Sequence, residues 1–128
     1  MKFLLDTHIF LWLLFSPEKL TDKIRTVYKN QANEIYLSLV SIWEIQLKSQ
    51  LGKLHLDIDL ETIIDDNIHS GFIKLLPINL SHVLALKDLP FHHKDPFDRL
   101  LIAQAIQENL TIISVDSYFT DYPVKVLR

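Results

Sequence analysis

Cysteine is absent from this 128-residue chain, which removes disulfides, thiolate nucleophiles and zinc–thiolate sites and fits a cytoplasmic protein. Glycine occurs only at Gly52 and Gly71, each placed where a helix ends, so no glycine-rich phosphate loop exists. There is no GxSxG elbow, and serine hydrolase chemistry loses its support. No HxxxH pair lies on a helical stretch, and the adjacent His92 and His93 fall on a loop, which argues against a zinc site. Basic charge is not in excess. With 13 basic and 16 acidic residues the formal charge is −3, so any contact with nucleic acid must rely on local patches and bound metal. No apolar run reaches the roughly 20 residues of a membrane-spanning helix. The opening segment, with Lys2 and the run Ile9 to Phe15, faintly mimics a signal peptide, but Asp6 and His8 interrupt it and no small-residue cleavage site follows. The run reads as a buried helix, apolar nearly all round, or one partly covered by a second subunit.

What remains is 48% hydrophobic and long enough to bury a core, which predicts a single domain over residues 1–128. Strand and helix patterns alternate along it. The expected order is a strand (Lys2 to Leu5), a helix (about Ile9 to Phe15), and a second helix introduced by Ser16-Pro17-Glu18 as cap and first turn. A strand from Glu34 to Leu39 leads into a helix from Ser41 to Leu51 that ends at Gly52. A helix from about Leu60 to His69 stops at Gly71, and a strand from Phe72 to Pro77 follows. A short helix (Ser81 to Lys87), a loop (Leu89 to Lys94), a helix from Pro96 to about Asn109, a strand (Thr111 to Val115) and a last strand (Val124 to Leu127) complete the chain. Such alternation implies a parallel sheet with helices on both faces. Right-handed crossovers then put the strand ends on one edge and bring Asp6 and Asp116 together.

Four acids are set where this architecture makes them costly. Asp6 and Asp116 are each the first charge after a strand, facing the crevice where open parallel sheets bind ligands. Asp98 shares a helical face with Leu101, Ile102 and Ala105, and Glu44 stands in register with Val40, Leu47 and Leu51. A charge in an apolar stripe is unfavourable without compensation. Taken singly, Asp6 and Asp116 are more often turn or cap residues than ligands. Asp95, before Pro96, reads as a helix cap first and a metal or supporting group second, while the wheel favours Asp98 as the ligand. Two unit charges 4 Å apart interact by about 4 kcal/mol at an effective dielectric near 20, so clustered carboxylates repel or take up protons unless a cation joins them. An all-oxygen donor set suits Mg²⁺ or Mn²⁺. The chemistry implied is metal-dependent phosphodiester hydrolysis.

Leu5-Asp6-Thr7-His8, the segment Ser38 to Ile45, the block His93-Lys94-Asp95-Pro96-Phe97-Asp98-Arg99 through Ala105, and Ser114-Val115-Asp116 together resemble a PIN domain over essentially the whole chain. Within that family the chain is similar to the VapC-type ribonuclease toxins of prokaryotic toxin–antitoxin pairs. The resemblance implies a three-layer α/β/α sandwich with a central, mostly parallel sheet, usually as a homodimer. It implies Asp6, Asp98 and Asp116 as ligands of Mg²⁺ or Mn²⁺, with Glu44 binding directly or through water. Thr7 would orient the first carboxylate and Arg99 would contact the scissile phosphate. Apart from the resemblance, Lys48, Lys53, Lys94 and Arg99 are candidate phosphate contacts by charge, although most such lysines and arginines are simply solvated surface charges. The substrate would be RNA, and the partner a small DNA-binding antitoxin whose tail covers the site. Rival readings are a catalytically silent PIN interaction module, a flap or ribosomal-RNA nuclease, and a receiver-like Mg²⁺-binding signalling domain. The last lacks the acidic neighbour it needs beside Asp6.

Overall fold

A computed structural model describes residues 1–128. Its centre is a five-stranded sheet, β1 (Lys2–Leu5), β2 (Glu34–Ser38), β3 (Lys74–Leu76), β4 (Thr111–Ile113) and β5 (Val126–Leu127), in the order β3-β2-β1-β4-β5. Every pairing is parallel, so the expected mostly parallel sheet is parallel throughout. The helices are α1 (Thr7–Phe15), α2 (Asp22–Lys29), α3 (Leu39–Gln50), α4 (Leu60–Ile64), α5 (Leu80–Ala85) and α6 (Pro96–Glu108).

Because both faces are covered, the strands read as continuous apolar runs rather than alternating ones. Side chains still alternate between two cores. Phe3, Leu5 and Ile113 pack with Ile9, Phe10, Ile24 and Ile63 on one face. Leu4 and Ile112 pack with Leu101, Ile102 and Phe119 on the other. Helices α1, α2 and α4 thus form one layer and α6 the opposite one. Helix α3 contributes Val40 to one core and Ile45 to the other, and touches both α1 and α6. It therefore crosses the carboxyl end of the sheet and carries Glu44 there.

Several boundaries differ from the pattern reading for identifiable reasons. Ser16 already closes α1 by donating its N–H to the Trp12 carbonyl, and Pro17 starts only a 3₁₀ turn, Pro17–Lys19. Helix α2 begins afresh at Thr21, whose hydroxyl accepts from the Ile24 N–H. The helix from Leu60 gives way to a π-helical turn over Asp65–His69 before Gly71, whose φ of +90° reverses the chain. Helix α1 buries Ile9 and Phe10, but Leu11 through Leu14 stay half-covered and Phe15 is exposed. No helix is long and apolar enough to cross a membrane.

The sheet order has one topological consequence. Strand β1 is flanked by β2 on one side and β4 on the other; the connection from β1 runs outward to β2 and that from β4 outward to β5, in opposite directions from the β1/β4 boundary. Such switch points open a crevice beyond the strands' carboxyl ends. Asp6 follows β1 directly and extends the ladder by donating its N–H to the Ile113 carbonyl at 3.0 Å.

Candidate metal centre

Asp6 stands at the cap position of α1 and Asp116 at that of a 3₁₀ turn, Ser117–Asp121, yet neither side chain caps anything. Asp95 does: its Oδ1 accepts from the Phe97 N–H at 2.8 Å and the Asp98 N–H at 3.2 Å, with Pro96 at the first helical position. The cap reading therefore fits Asp95, and leaves Asp6 and Asp116 free for another task.

Ser114 organises the first pair. Its hydroxyl donates to Asp6 Oδ2 at 2.8 Å and accepts from the Asp116 N–H at 3.0 Å. Asp6, His8 and Asp116 can thereby present ligand atoms within 4.8 Å of one another. The Asp6 carboxyl is only 2% exposed. Burial pushes its pKa up to about 7, the Ser114 hydroxyl opposes this, and the charges of Asp98 and Asp116 add to it.

Asp98 enters from the first turn of α6 and is buried. Its pKa is raised, chiefly by burial, with Asp95 and Glu44 adding repulsion while His93 and Tyr118 favour the charged form. His93 Nε2 lies 2.9 Å from Asp98 Oδ2. Its ring stacks on Tyr118 at a centroid distance of 4.0 Å, and the Tyr118 hydroxyl donates to Asp116 Oδ2 at 3.0 Å. The stacked pair thus links Asp98 of α6 with Asp116, which follows β4. Burial and these two acids raise the Tyr118 pKa, so the phenol stays a proton donor.

Glu44 reaches the same crevice from α3. Thr7 Oγ1 is 2.8 Å from both Glu44 Oε1 and Ser41 Oγ. A carboxylate only accepts, so the single threonine proton goes to Glu44. The Glu44 Oε2 atom is held by the Lys48 ammonium, one helical turn on.

Two expected roles are corrected. Thr7, expected to orient the first carboxylate, holds Glu44; Ser114 holds Asp6. Arg99, expected at the scissile phosphate, is buried on the far side of α6 from Asp98. Its guanidinium donates to the carbonyls of Leu86, Leu89 and Pro90 at 3.3, 3.2 and 2.8 Å, and packs on Phe91. Tyr122 shares the task, donating to the Pro90 carbonyl and accepting from the His93 N–H, each at 2.9 Å. Arg99 therefore fixes the loop that delivers His93. Arg99→Met is expected to lower stability by about 1–3 kcal/mol, because it strands buried carbonyls; a urea midpoint equal to wild type would sink that assignment.

Lys53 lines a cleft of about 330 Å³ beside Thr7, His8, Glu44 and Lys48, and Lys94 is exposed on the His93 loop. Tyr118 carries no signal in the pattern, and His93 and Ser114 enter it only as members of the segments that resemble a PIN domain, with no role of their own. By type and place in the sequence His93 reads as a loop residue, and the others as ordinary turn residues. Asp6, Asp98 and Asp116 form a crowded carboxylate set, two of them raised in pKa, that a hard cation with oxygen ligands fits.

The sequence from residue 3 to 125 matches the PIN domain family model. No curated protein matches the chain in sequence. Among solved structures, the chain is similar to VapBC2 from Rickettsia felis bound to a DNA fragment from their promoter, at TM-score 0.72 and 17% identity over 99% of this chain and 98% of that one. It is similar to FitAcB from Neisseria gonorrhoeae, at TM-score 0.68 and 17% identity over 98% and 96% of the two chains. It is also similar to a toxin-antitoxin complex from Klebsiella pneumoniae, at 0.64 and 15% over 98% and 95%. These likenesses carry the fold, and the family model, which spans β1 from Phe3, all of β2, β3 and β4, and the four acids, makes the chain a member of the PIN domain family.

Proposed function

We propose that the chain is a metal-dependent endoribonuclease, the toxin of a type II toxin–antitoxin pair. The observation that carries the reading is the carboxylate set at the switch point, in which Asp6 and Asp98 are buried with raised pKa values and no arginine neutralises them. Membership of the PIN family supports a nuclease, and the likeness to toxin–antitoxin structures supports the toxin.

Asp6, Asp98 and Asp116 would hold Mg²⁺ or Mn²⁺, with Glu44 at the margin. When bound, such an ion would supply an activated water and would neutralise charge on the phosphate under attack. Ser114 and the His93–Tyr118 pair keep the carboxylates oriented, Thr7 and Lys48 fix Glu44, and Lys53 and Lys94 meet the RNA backbone. The partner is a small DNA-binding antitoxin, and the pair works in the cytoplasm. Exposed Leu39 and Trp43 on α3, with Leu80, Val83 and Leu84 on α5, support a homodimer.

The deciding experiment is endonuclease activity on a mixed RNA pool in EDTA, Mg²⁺ or Mn²⁺. Metal-dependent cleavage is the expected result; no cleavage with either metal overturns the proposal in favour of a silent interaction module. Millimolar Mg²⁺ or Mn²⁺ is also expected to raise the melting temperature by several degrees, since an ion that binds only the native state stabilises it by mass action. A flat melting profile across the titration counts against an acidic site that is formed before metal arrives.

A further inference from the structure

His8 stands in the first turn of α1 between Thr7 and Ile9, both buried, while its own side chain is 58% exposed at the rim of the crevice. Its backbone is therefore fixed and only its ring can turn. Nδ1 lies 3.8 Å from Asp116 Oδ2, too far for a hydrogen bond. Other histidines are committed within the protein. His93 Nε2 sits against Asp98 Oδ2 at 2.9 Å with its ring stacked on Tyr118, and His82 accepts the Asn79 N–H on Nδ1 and meets Glu108 with Nε2. Asp95, which could join His93 and Asp98 around an ion, holds the cap of α6 instead.

Donor spacing gives the His8 ring a role. At metal–ligand distances of about 2.1 Å, two donors on opposite sides of one ion stand about 4.2 Å apart, and adjacent donors stand closer. Asp6, His8 and Asp116 each present one atom within 4.8 Å of the others, so a small rotation of the exposed ring lets all three meet one ion. From this arrangement we propose that His8 is a nitrogen ligand of the metal, which turns an all-carboxylate site into a mixed one and biases it toward a divalent transition ion and against Mg²⁺. The inference rests on the metal-dependent reading above. Ligand softness is the reason: carboxylates accept Mg²⁺ and transition ions alike, whereas imidazole suits transition ions, and Mg²⁺ gives up its water reluctantly.

The test uses Mn²⁺ as the probe on the full chain, as wild type, His8→Phe, His8→Asn and His93→Gln. Its affinity is read from the electron paramagnetic resonance signal of the free ion, that of Mg²⁺ from competition, and nitrogen ligation from the nuclear modulation of the spin echo of bound Mn²⁺. Phenylalanine keeps a ring without a donor, asparagine offers an amide oxygen instead, and circular dichroism confirms that each variant is folded. Nitrogen modulation is expected in wild type and His93→Gln and in neither His8 variant. His8→Phe should weaken Mn²⁺ on the order of 10-fold or more and Mg²⁺ much less, since even the outer partners of metal ligands are worth about 10–100-fold in affinity. His8→Asn should bind both ions without the preference. An ordinary surface pair between His8 and Asp116 predicts none of this. Wild type without nitrogen modulation, modulation that survives in His8→Phe, or an unchanged ratio of Mn²⁺ to Mg²⁺ affinity would overturn the role of His8 and leave the nuclease standing. No Mn²⁺ on any of the four chains would overturn the metal-dependent reading itself, and the inference with it.

Discussion

Asp6→Asn and Asp98→Asn are each expected to lower metal-dependent RNA cleavage by a factor on the order of 10³ or more, while the protein stays folded. Both carboxylates are buried, come from opposite ends of the chain and repel each other, so an amide at either position removes a ligand charge and a source of strain together. The Asp6 amide oxygen still accepts from Ser114, which preserves the local hydrogen bond. The check is single-turnover cleavage of the wild-type target with saturating Mn²⁺, alongside melting curves. The double variant should be no slower than the worse single one, because residues holding one ion act as a unit. Wild-type turnover from the double variant would remove both residues from the site.

The same substitution at Asp6 is expected to stabilise the metal-free protein, by on the order of 2–4 kcal/mol at neutral pH and above. The Asp6 pKa is raised from 3.8 in the open chain to about 7 in the fold, mainly by burial. Below the lower value both states hold the proton and Asp6 contributes nothing. Between the two values the unfolded chain releases its proton and the folded one keeps it, so native stability falls as pH rises. Above the upper value the loss is constant. In EDTA the difference between Asp6→Asn and wild type should therefore be small near pH 4, widen through about pH 5 and 6, and flatten beyond about pH 7. Mg²⁺ should narrow it by stabilising only the wild type. Unfolding midpoints in urea across that range measure it, and a variant less stable than wild type at about pH 8 contradicts the account.

The four acids were legible because each sits where periodicity makes a charge anomalous: Asp6 and Asp116 behind apolar strands, Glu44 and Asp98 inside apolar helical stripes. What separated Asp98 from Asp95 was the wheel, and the structure adds that Asp95 spends its side chain on the α6 cap. The groups that orient these acids were not legible. Ser114, His93 and Tyr118 act through distances between segments that no local pattern encodes, and Tyr118 lies in a turn without a period. Arg99 illustrates the opposite error, in which a residue beside a site in sequence points away from it in space. The α/β layering was plain from the alternation of elements, whereas the start of α2 was not. Ser16-Pro17 satisfies the chemistry of a helix start, but Ser16 is already committed to closing α1.

The bond between Ser114 and Asp6 joins residues 108 positions apart. Because the first strand lies at the middle of the sheet and its neighbour β4 is made nearly last, the acidic cluster has no partial form. A chain growing from the ribosome holds Asp6 and Glu44 early, yet lacks their counterparts until α6 and β4 have emerged and docked. In the ribonuclease proposed above, whose substrate would surround it during its own synthesis, strand order alone would withhold cleavage until translation is almost finished.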